Sequence, residues 1–493
     1  MVGFFQSIQK HGFTAAKGTN SRIHQEITRT PSPQTPINPY KHNQALSAKK
    51  VPEKPNGSRK PSPLPKEQPP RKRRVATPQQ RLESDSDDDG DAQDLEGDRK
   101  RARRHSDAEP DVKRKIRSRK AFSNEDGGRF DMVHAADIAS LDKSAEFKPA
   151  FPSDPLATKI CLQYPSASQP ERYALVTPVQ NDDFKALEDI REVMEIIISN
   201  YLPSSEAAMM QNDSTGLIRR LKRAVERLAG NEYIDHVQEW NETLVELRQT
   251  GALAKTIDEW RRVELRLLER ILTQTYSRTV SPRVHMLRHY QNGTDNVYGE
   301  LLPKFVSLIL TKDIKMKSDQ IFVDLGSGVG NCVLQAALEV GCESWGCEMM
   351  ENACKLAELQ QKEFAARCRL WGLSVGEMHL ERGNFLENTN IIKILQKADV
   401  VLVNNQAFTP KLNEDLTNLF LDLKEGAKVV SLKSFVPHGH KISMKNLSAA
   451  CNHLNVEKKD YYSACVSWTD APGTYYISTK DSARVQAFAE KNP

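Results

Sequence analysis

Phe322-Val323-Asp324-Leu325-Gly326-Ser327-Gly328-Val329-Gly330 is the stretch whose reading decides the fold. A short buried strand runs directly into three glycines spaced one residue apart, and a helical pattern opens at Asn331. Glycine at such a place permits a tight turn and lets a ligand approach the backbone closely, at the carboxyl edge of a sheet. Glu348 follows 24 residues after Asp324, at the end of the next apolar run, Ser344 to Cys347. A carboxylate there can accept both ribose hydroxyls of a nucleoside cofactor. A glycine turn used only for packing is the plain alternative, and Glu348 in register counts against it.

The kind of nucleoside follows from the spacing. A dinucleotide fingerprint needs Gly-x-Gly-x-x-Gly, and counting from Gly326 its third glycine falls on Asn331. Gly330 instead completes a Gly-x-Gly-x-Gly loop preceded by Asp324. An acidic residue on the strand suits a cofactor that bears an amino-acid group and lacks a pyrophosphate. S-adenosylmethionine is favoured over NAD.

Outward from the loop, Ile321-Phe322-Val323, Ser344 to Cys347, Val400-Val401-Leu402-Val403 and Lys428 to Leu432 read as buried strands. Asn331–Val340 and Glu351–Trp371 read as helices between them, which gives a parallel sheet covered on both faces. Tyr461–Trp468 and Thr474–Thr479 flank Pro472-Gly473 and predict a terminal antiparallel hairpin. Upstream, helices are expected over Asp182–Leu202, Leu217–Leu228, Tyr233–Gln249 and Leu253–Ser277. In the second, Leu217, Leu221, Val225 and Leu228 form one stripe, Asp213 or Ser214 can cap the start and Gly230 can end it. The fold class is therefore α/β, an open sheet with an antiparallel edge, preceded by a helical subdomain.

The net charge of +5 conceals an asymmetry. Residues 1–120 hold 27 Lys and Arg against 15 Asp and Glu, so the remainder of the chain is net acidic. Residues 1–150 are rich in Pro, Ser and charge and lack periodicity, which predicts a disordered basic tail. Its basic clusters, 71–74, 99–104 and 113–120, flank an acidic run at 84–89. They suit nuclear import and contact with nucleic-acid phosphates, or simply a solvated tail. The expected organisation is a tail over 1–150, a mainly helical part over 151–290 and a cofactor-binding core over 291–485.

Eight cysteines without a Cys-x-x-Cys pair argue for reduced thiols rather than a disulfide scaffold or zinc ribbon. His438-Gly439-His440 lacks a third ligand, and no metal is expected. No membrane span and no secretory signal are expected, so the reading is of a soluble intracellular protein.

Five segments occur in order: Asp295 to Glu300, the glycine loop, Glu381 to Leu386, Val403 to Phe408, and Val466-Ser467-Trp468-Thr469 with Tyr475-Tyr476. On these the chain resembles the disruptor-of-telomeric-silencing (Dot) family, the non-SET histone lysine methyltransferases, in a fungal-like form. The resemblance covers roughly residues 160–480 and is densest over 294–478. It implies an open seven-stranded, Rossmann-like methyltransferase sheet, and transfer of methyl groups from S-adenosylmethionine to a lysine on the globular face of histone H3 in nucleosomes. A nuclear, monomeric chromatin regulator, with roles in telomeric silencing and the DNA damage checkpoint, is also implied.

The resemblance assigns roles by position. Tyr298, Gly299, Glu300 and Leu301 match a loop over the methionine end of the cofactor. Phe322, Val323, Asp324, Leu325, Gly326, Ser327, Gly328, Val329, Gly330 and Asn331 match its main binding turn, and Glu348 matches the ribose carboxylate. Asn384 and Phe385 match the adenine site, Asn404 lies beside the transferring methyl, and Trp468 and Tyr475 wall the lysine channel. Two positions depart: Asn384 stands where relatives often have Asp, and Gln406 replaces an aromatic residue.

A channel lined by Trp468, Tyr475 and Phe408 would deliver the amine uncharged through desolvation, without a dedicated base, or its aromatic wall would instead stabilise the cation and oppose deprotonation. Trp468 and Tyr475 also suit plain packing on a terminal hairpin. Two alternative functions stay open: a chromatin-binding scaffold that has lost catalysis, and a methyltransferase for RNA or a small molecule. Intact Asp324, Gly326, Gly328, Glu348 and Asn404 oppose the first, and the absence of a Pro-Pro-Tyr/Phe type motif near Asn404 opposes the second.

Overall fold

A computed structural model describes residues 111–123, 130–154, 156, 158–180, 184–289 and 299–492. The basic clusters 71–74 and 99–104, the acidic run 84–89 and Tyr298 lie outside the described residues.

The core is a seven-stranded sheet built from β1 (Ile321–Leu325), β2 (Glu343–Glu348), β3 (Met378–Arg382), β4 (Val400–Val403), β5 (Lys428–Ser431), β6 (Leu454–Tyr461) and β7 (Gly473–Lys480). Their order is β3-β2-β1-β4-β5-β7-β6. The first five are parallel, β7 is antiparallel to β5, and β6 pairs antiparallel with β7. The order reverses between β1 and β4, so the strand ends there open a crevice where ligands of such sheets bind. β4 is buried at all four positions, as a central parallel strand covered on both faces must be.

The terminal hairpin differs from the expectation in its first strand. Leu454–Tyr461, not Tyr461–Trp468, pairs with β7. Its sequence, Leu-Asn-Val-Glu-Lys-Lys-Asp-Tyr, is mostly exposed because it is an edge strand, and so lacks an apolar run. Residues 462–472 then form a long connection that brings the Trp468 ring against Gly299.

Helices form upstream of the sheet over each of the four stretches where the sequence placed them, with three changes. The helix Leu217–Glu226 stops before Gly230 because Leu228 takes a left-handed conformation, φ 55°. Gly230 instead begins the helix Gly230–Gln249. The turn before Leu217 is organised by Asn212, whose Oδ1 accepts from the Ser214 and Thr215 N–H groups, rather than by a side-chain cap from Asp213 or Ser214. Leu253–Ser277 is two helices, Ala252–Asp258 and Leu265–Thr279. The Glu264 carboxylate accepts from Leu267 N–H at 3.1 Å and starts the second, while Trp260 packs edge-on against Tyr201.

Structure begins well before Phe151. Asp111 accepts from Ser318 N–H, Lys113 pairs with Asp319 and Arg117 pairs with Asp258. The Arg114 guanidinium donates to the carbonyls of Leu338 and Ser374, and Ile116 is buried. The third basic cluster is thus in large part a strap on the fold rather than a free tail, because its cations alternate with an apolar anchor and meet acidic partners far along the chain.

A buried ion network joins the helical part to the helix Glu351–Leu370 that connects β2 and β3. Glu171 accepts from Arg278 at 3.1 Å and Arg367 at 2.5 Å, and Asp189 accepts from Arg278 at 2.7 Å and Arg270 at 2.8 Å. Arg367 also pairs with Glu363, and Tyr164 and Tyr173 donate to these carboxylates. Burial alone would raise the Glu171 pKa, but Arg367 and Arg278 outweigh it and hold it at about 2.

Candidate active site

β1 delivers Asp324 and Leu325 to the sheet edge, and the chain then reverses through Gly326 and Gly330, at φ 85° and 88°. Residues with a Cβ are strained there. The Gly326 and Ser327 N–H groups donate to Cys347 O at the end of β2, at 2.9 and 3.0 Å, so the loop is pinned to the neighbouring strand. Gly330 caps the helix Asn331–Glu339.

Glu348 ends β2 and is buried. Its Oε2 accepts from Gly328 N–H at 3.0 Å and its Oε1 from Met350 N–H at 2.8 Å, which fixes the carboxylate and leaves further lone pairs on both oxygens. Burial raises its pKa, with the backbone donors pulling the other way. Asp324 is buried beside it, and burial, reinforced by the Glu348 charge, lifts its pKa to about 7.

These groups open on a cleft of about 350 Å³. Of the residues singled out in the sequence, Gly299, Glu300, Leu301, Asp324, Gly326, Ser327, Gly328, Val329, Asn331, Glu348, Asn384, Phe385, Asn404 and Phe408 line it. Phe322, Val323 and Leu325 lie beneath it in the apolar clusters on the two faces of the sheet, and Gly330 packs on Leu380.

The far wall is built by two segments distant in sequence. Residues 299–301 run beside 465–468: Glu300 N–H donates to Ser467 Oγ, Ser467 N–H returns to Glu300 O, and Leu301 bridges Val466. A Cβ on Gly299 would come within 2.8 Å of the Trp468 ring, so glycine is what allows that indole to close down on the loop. Asn404, just past β4, donates from Nδ2 to Gly299 O at 3.0 Å. Its Oδ1 is buried and has no hydrogen-bond partner among the described residues. Asn405, beside it, does the structural work at this strand end, accepting from Leu432 and Lys433 N–H groups.

Tyr475 is placed elsewhere. It is 1% exposed, packs edge-on against Phe305 with centroids 5.1 Å apart, and donates its hydroxyl to Asp313. Asn384 Oδ1 accepts from Leu386 N–H in a local turn, so one lone pair of its side-chain carbonyl is engaged. Gln406 is exposed and does not line the cleft. Met349, Cys332, Leu386, Leu402 and Leu412 also line it. Met349 could have been found from its place directly after Glu348, but the others carry no motif. Among the described residues no group of three or more His, Cys, Asp or Glu could hold a metal, and His440 instead meets Asn452 at 2.6 Å. No helix among the described residues is long and apolar enough to cross a membrane.

The family model described as histone methylation protein DOT1 matches residues 276–480. A relative from Aspergillus fumigatus, named histone-lysine N-methyltransferase, H3 lysine-79 specific, is 51% identical over 501 residues, covering 99% of each chain. A relative of the same name from Emericella nidulans is 51% identical over 503 residues, again 99% of each chain. One from Yarrowia lipolytica, with that name too, is 40% identical over 362 residues, 73% of each chain. With the glycine loop, the paired carboxylates and the Asn404 wall in one cleft, the chain belongs to the DOT1 family of histone methylation proteins and is a methyltransferase.

Proposed function

We propose that the protein is an S-adenosylmethionine-dependent histone-lysine N-methyltransferase that acts on lysine 79 of histone H3 within the nucleosome. The supporting observation is that one cleft joins a nucleoside-binding strand edge to a wall made by Asn404 and Gly299, with the Trp468 ring lying against Gly299. The cofactor suits the residues present. Asp324, buried with a second carboxylate beside it, favours a cationic ammonium and disfavours a pyrophosphate.

S-adenosylmethionine, when bound, supplies a methyl group on a sulfonium. Asp324, Glu300 and the glycine loop hold its amino-acid end, Glu348 its ribose, and Asn384 and Phe385 its adenine. Asn404 Oδ1, the buried acceptor without a partner, takes an N–H of the entering lysine and orients the nitrogen. Holding nitrogen, methyl carbon and sulfur in line by all these groups together is worth up to roughly 7–11 kcal/mol. Trp468 and Phe408 wall the lysine path and strip water from the amine, which favours its neutral form; the proton leaves to solvent. Tyr475 serves this wall from the core, anchoring β7 through Phe305 and Asp313.

The basic N-terminal segment holds the enzyme on nucleosomal DNA, and the protein works in the nucleus as a monomer, in chromatin regulation, telomeric silencing and the DNA damage checkpoint. Its target lies on a folded surface, where a short peptide lacks the docking contacts. With radiolabelled S-adenosylmethionine, intact nucleosomes should be labelled far better than free histone H3. Equal labelling of free histone tails, or labelling of RNA alone, would overturn the reading.

A further inference from the structure

We infer that Gln360 is a positioning residue that sets which end of the Asn331 amide faces the cofactor cleft. The inference rests on the cleft being the S-adenosylmethionine site. Gln360 lies within the helix Glu351–Leu370, a full strand away from the glycine loop in sequence, and is 1% exposed. Its Nε2 donates to Val329 O at 2.7 Å and to Asn331 Oδ1 at 2.8 Å. Both protons of one buried amide are thereby spent on the loop that binds the cofactor.

The order of constraint can be followed atom by atom. Val329 O is a backbone carbonyl and can only accept. It therefore fixes the Gln360 amide with nitrogen toward the loop. The remaining N–H of that nitrogen requires an acceptor, which fixes the Asn331 amide with Oδ1 toward Gln360. Asn331 lines the cleft, and the group left to face it is the Nδ2 donor pair. The arrangement is held at a cost, since Gln360 Oε1 is buried with no hydrogen-bond partner among the described residues. A side chain retained only to fill space would carry no such penalty.

A donor pair at that point, at the first turn of the helix that Gly330 caps, suits an anionic group of the ligand. In S-adenosylmethionine that group is the carboxylate. Gln360 thus confers selectivity for the amino-acid end of the cofactor without touching it, and the nucleoside end is independent of it.

The test compares two ligands on the full-length protein by calorimetry: S-adenosylmethionine, and 5′-methylthioadenosine, which lacks the amino-acid end. Gln360→Met keeps the shape and removes both donors. It should weaken S-adenosylmethionine about tenfold, the loss of roughly one hydrogen bond to a charged group, and weaken 5′-methylthioadenosine less than about twofold. In an Asn331→Ala background, where the relay has lost its end, adding Gln360→Met should change S-adenosylmethionine affinity by no more than about twofold. Should Gln360→Met fail to fold, Asn331→Asp is the second variant. It keeps an acceptor for Gln360 but turns an acceptor toward the cleft, and it should also cost about tenfold on S-adenosylmethionine only. Equal weakening of both ligands, full additivity in the double variant, or unchanged affinity in Asn331→Asp overturns the inference. Wild-type protein that binds 5′-methylthioadenosine but not S-adenosylmethionine overturns the proposed function itself.

Discussion

Glu171 and Asp324 are both deeply buried carboxylates, and they are pushed in opposite directions. Glu171 sits among Arg278, Arg367, Tyr164 and Tyr173, and its pKa is held at about 2 against its own burial. Asp324 is buried against another carboxylate, and its pKa climbs to about 7. The first charge is compensated within the protein and ties four elements together. Under the proposed function, the second is left for a cationic ligand to compensate. The contrast separates charges that hold the architecture from those that create a binding site, although neither differs from the other in burial.

Breaking the compensated side should have the largest effect. Arg367→Met leaves Glu171 and Glu363 short of a partner inside the fold and should cost about 3–5 kcal/mol in denaturant unfolding, because a buried charge is left exposed to a low dielectric. The network also carries a pH signature. Since the folded pKa of Glu171 lies below its unfolded value, its contribution is present above about pH 4.3 and is lost as pH falls toward 2. Acid unfolding of the wild type should be steeper across that window than in a Glu171→Gln variant.

Breaking the binding side should spare the fold. Gly326→Arg puts a long cation at φ 85° in the mouth of the cleft, and cofactor affinity should fall at least about 100-fold while the protein stays folded. Retained affinity would show that the site is misplaced.

The Asp324 pKa sharpens the comparison further. A group raised to about 7 is mostly protonated at pH 6 and mostly ionised at pH 8, and the ionised form attracts an ammonium. S-adenosylmethionine should therefore bind several-fold more tightly at about pH 7.5, where its own ammonium is still largely protonated, than at pH 6, and Asp324→Asn should flatten the profile. In the ligand-free protein the sign for stability is the reverse of Glu171. The folded state keeps a proton that the unfolded state releases, so stability declines as pH rises from about 3.9 to 7 and is level above that.

The two parts of the basic N-terminus should separate in the same way. Removing residues 1–107 should weaken nucleosome binding in a salt-dependent way and leave cofactor affinity unchanged. Extending the deletion through residue 122 removes Arg114 and buried Ile116 and should cost a further 1–3 kcal/mol of stability, roughly, from lost hydrogen bonds and apolar burial.

The sheet and its loop were legible because their signals are local: β-branched runs at 321–323, 400–403 and 428–432, three glycines, and a carboxylate at the next strand end. The strand 454–461 was not, because an edge strand exposed to water needs no apolar run. The break at 259–264 was hidden because Glu264 caps a helix that the sequence read as continuous. Residues 111–122 read as tail because the partners of their cations, Asp258 and Asp319, lie more than a hundred residues away. In the site, the glycine loop, Glu348 and Asn404 carry motifs. Gln360 carries none, since one glutamine in a helix becomes informative only when its neighbours in space are known.

The most direct test of the central claim is mass-spectrometric mapping of recombinant nucleosomes incubated with S-adenosylmethionine and the full-length protein, alongside Asn404→Ala. The account predicts methylation at lysine 79 of histone H3 with the wild type, and its loss in the variant with cofactor affinity largely retained. Methylation on histone tails or on nucleic acid, or undiminished methylation by Asn404→Ala, would contradict it.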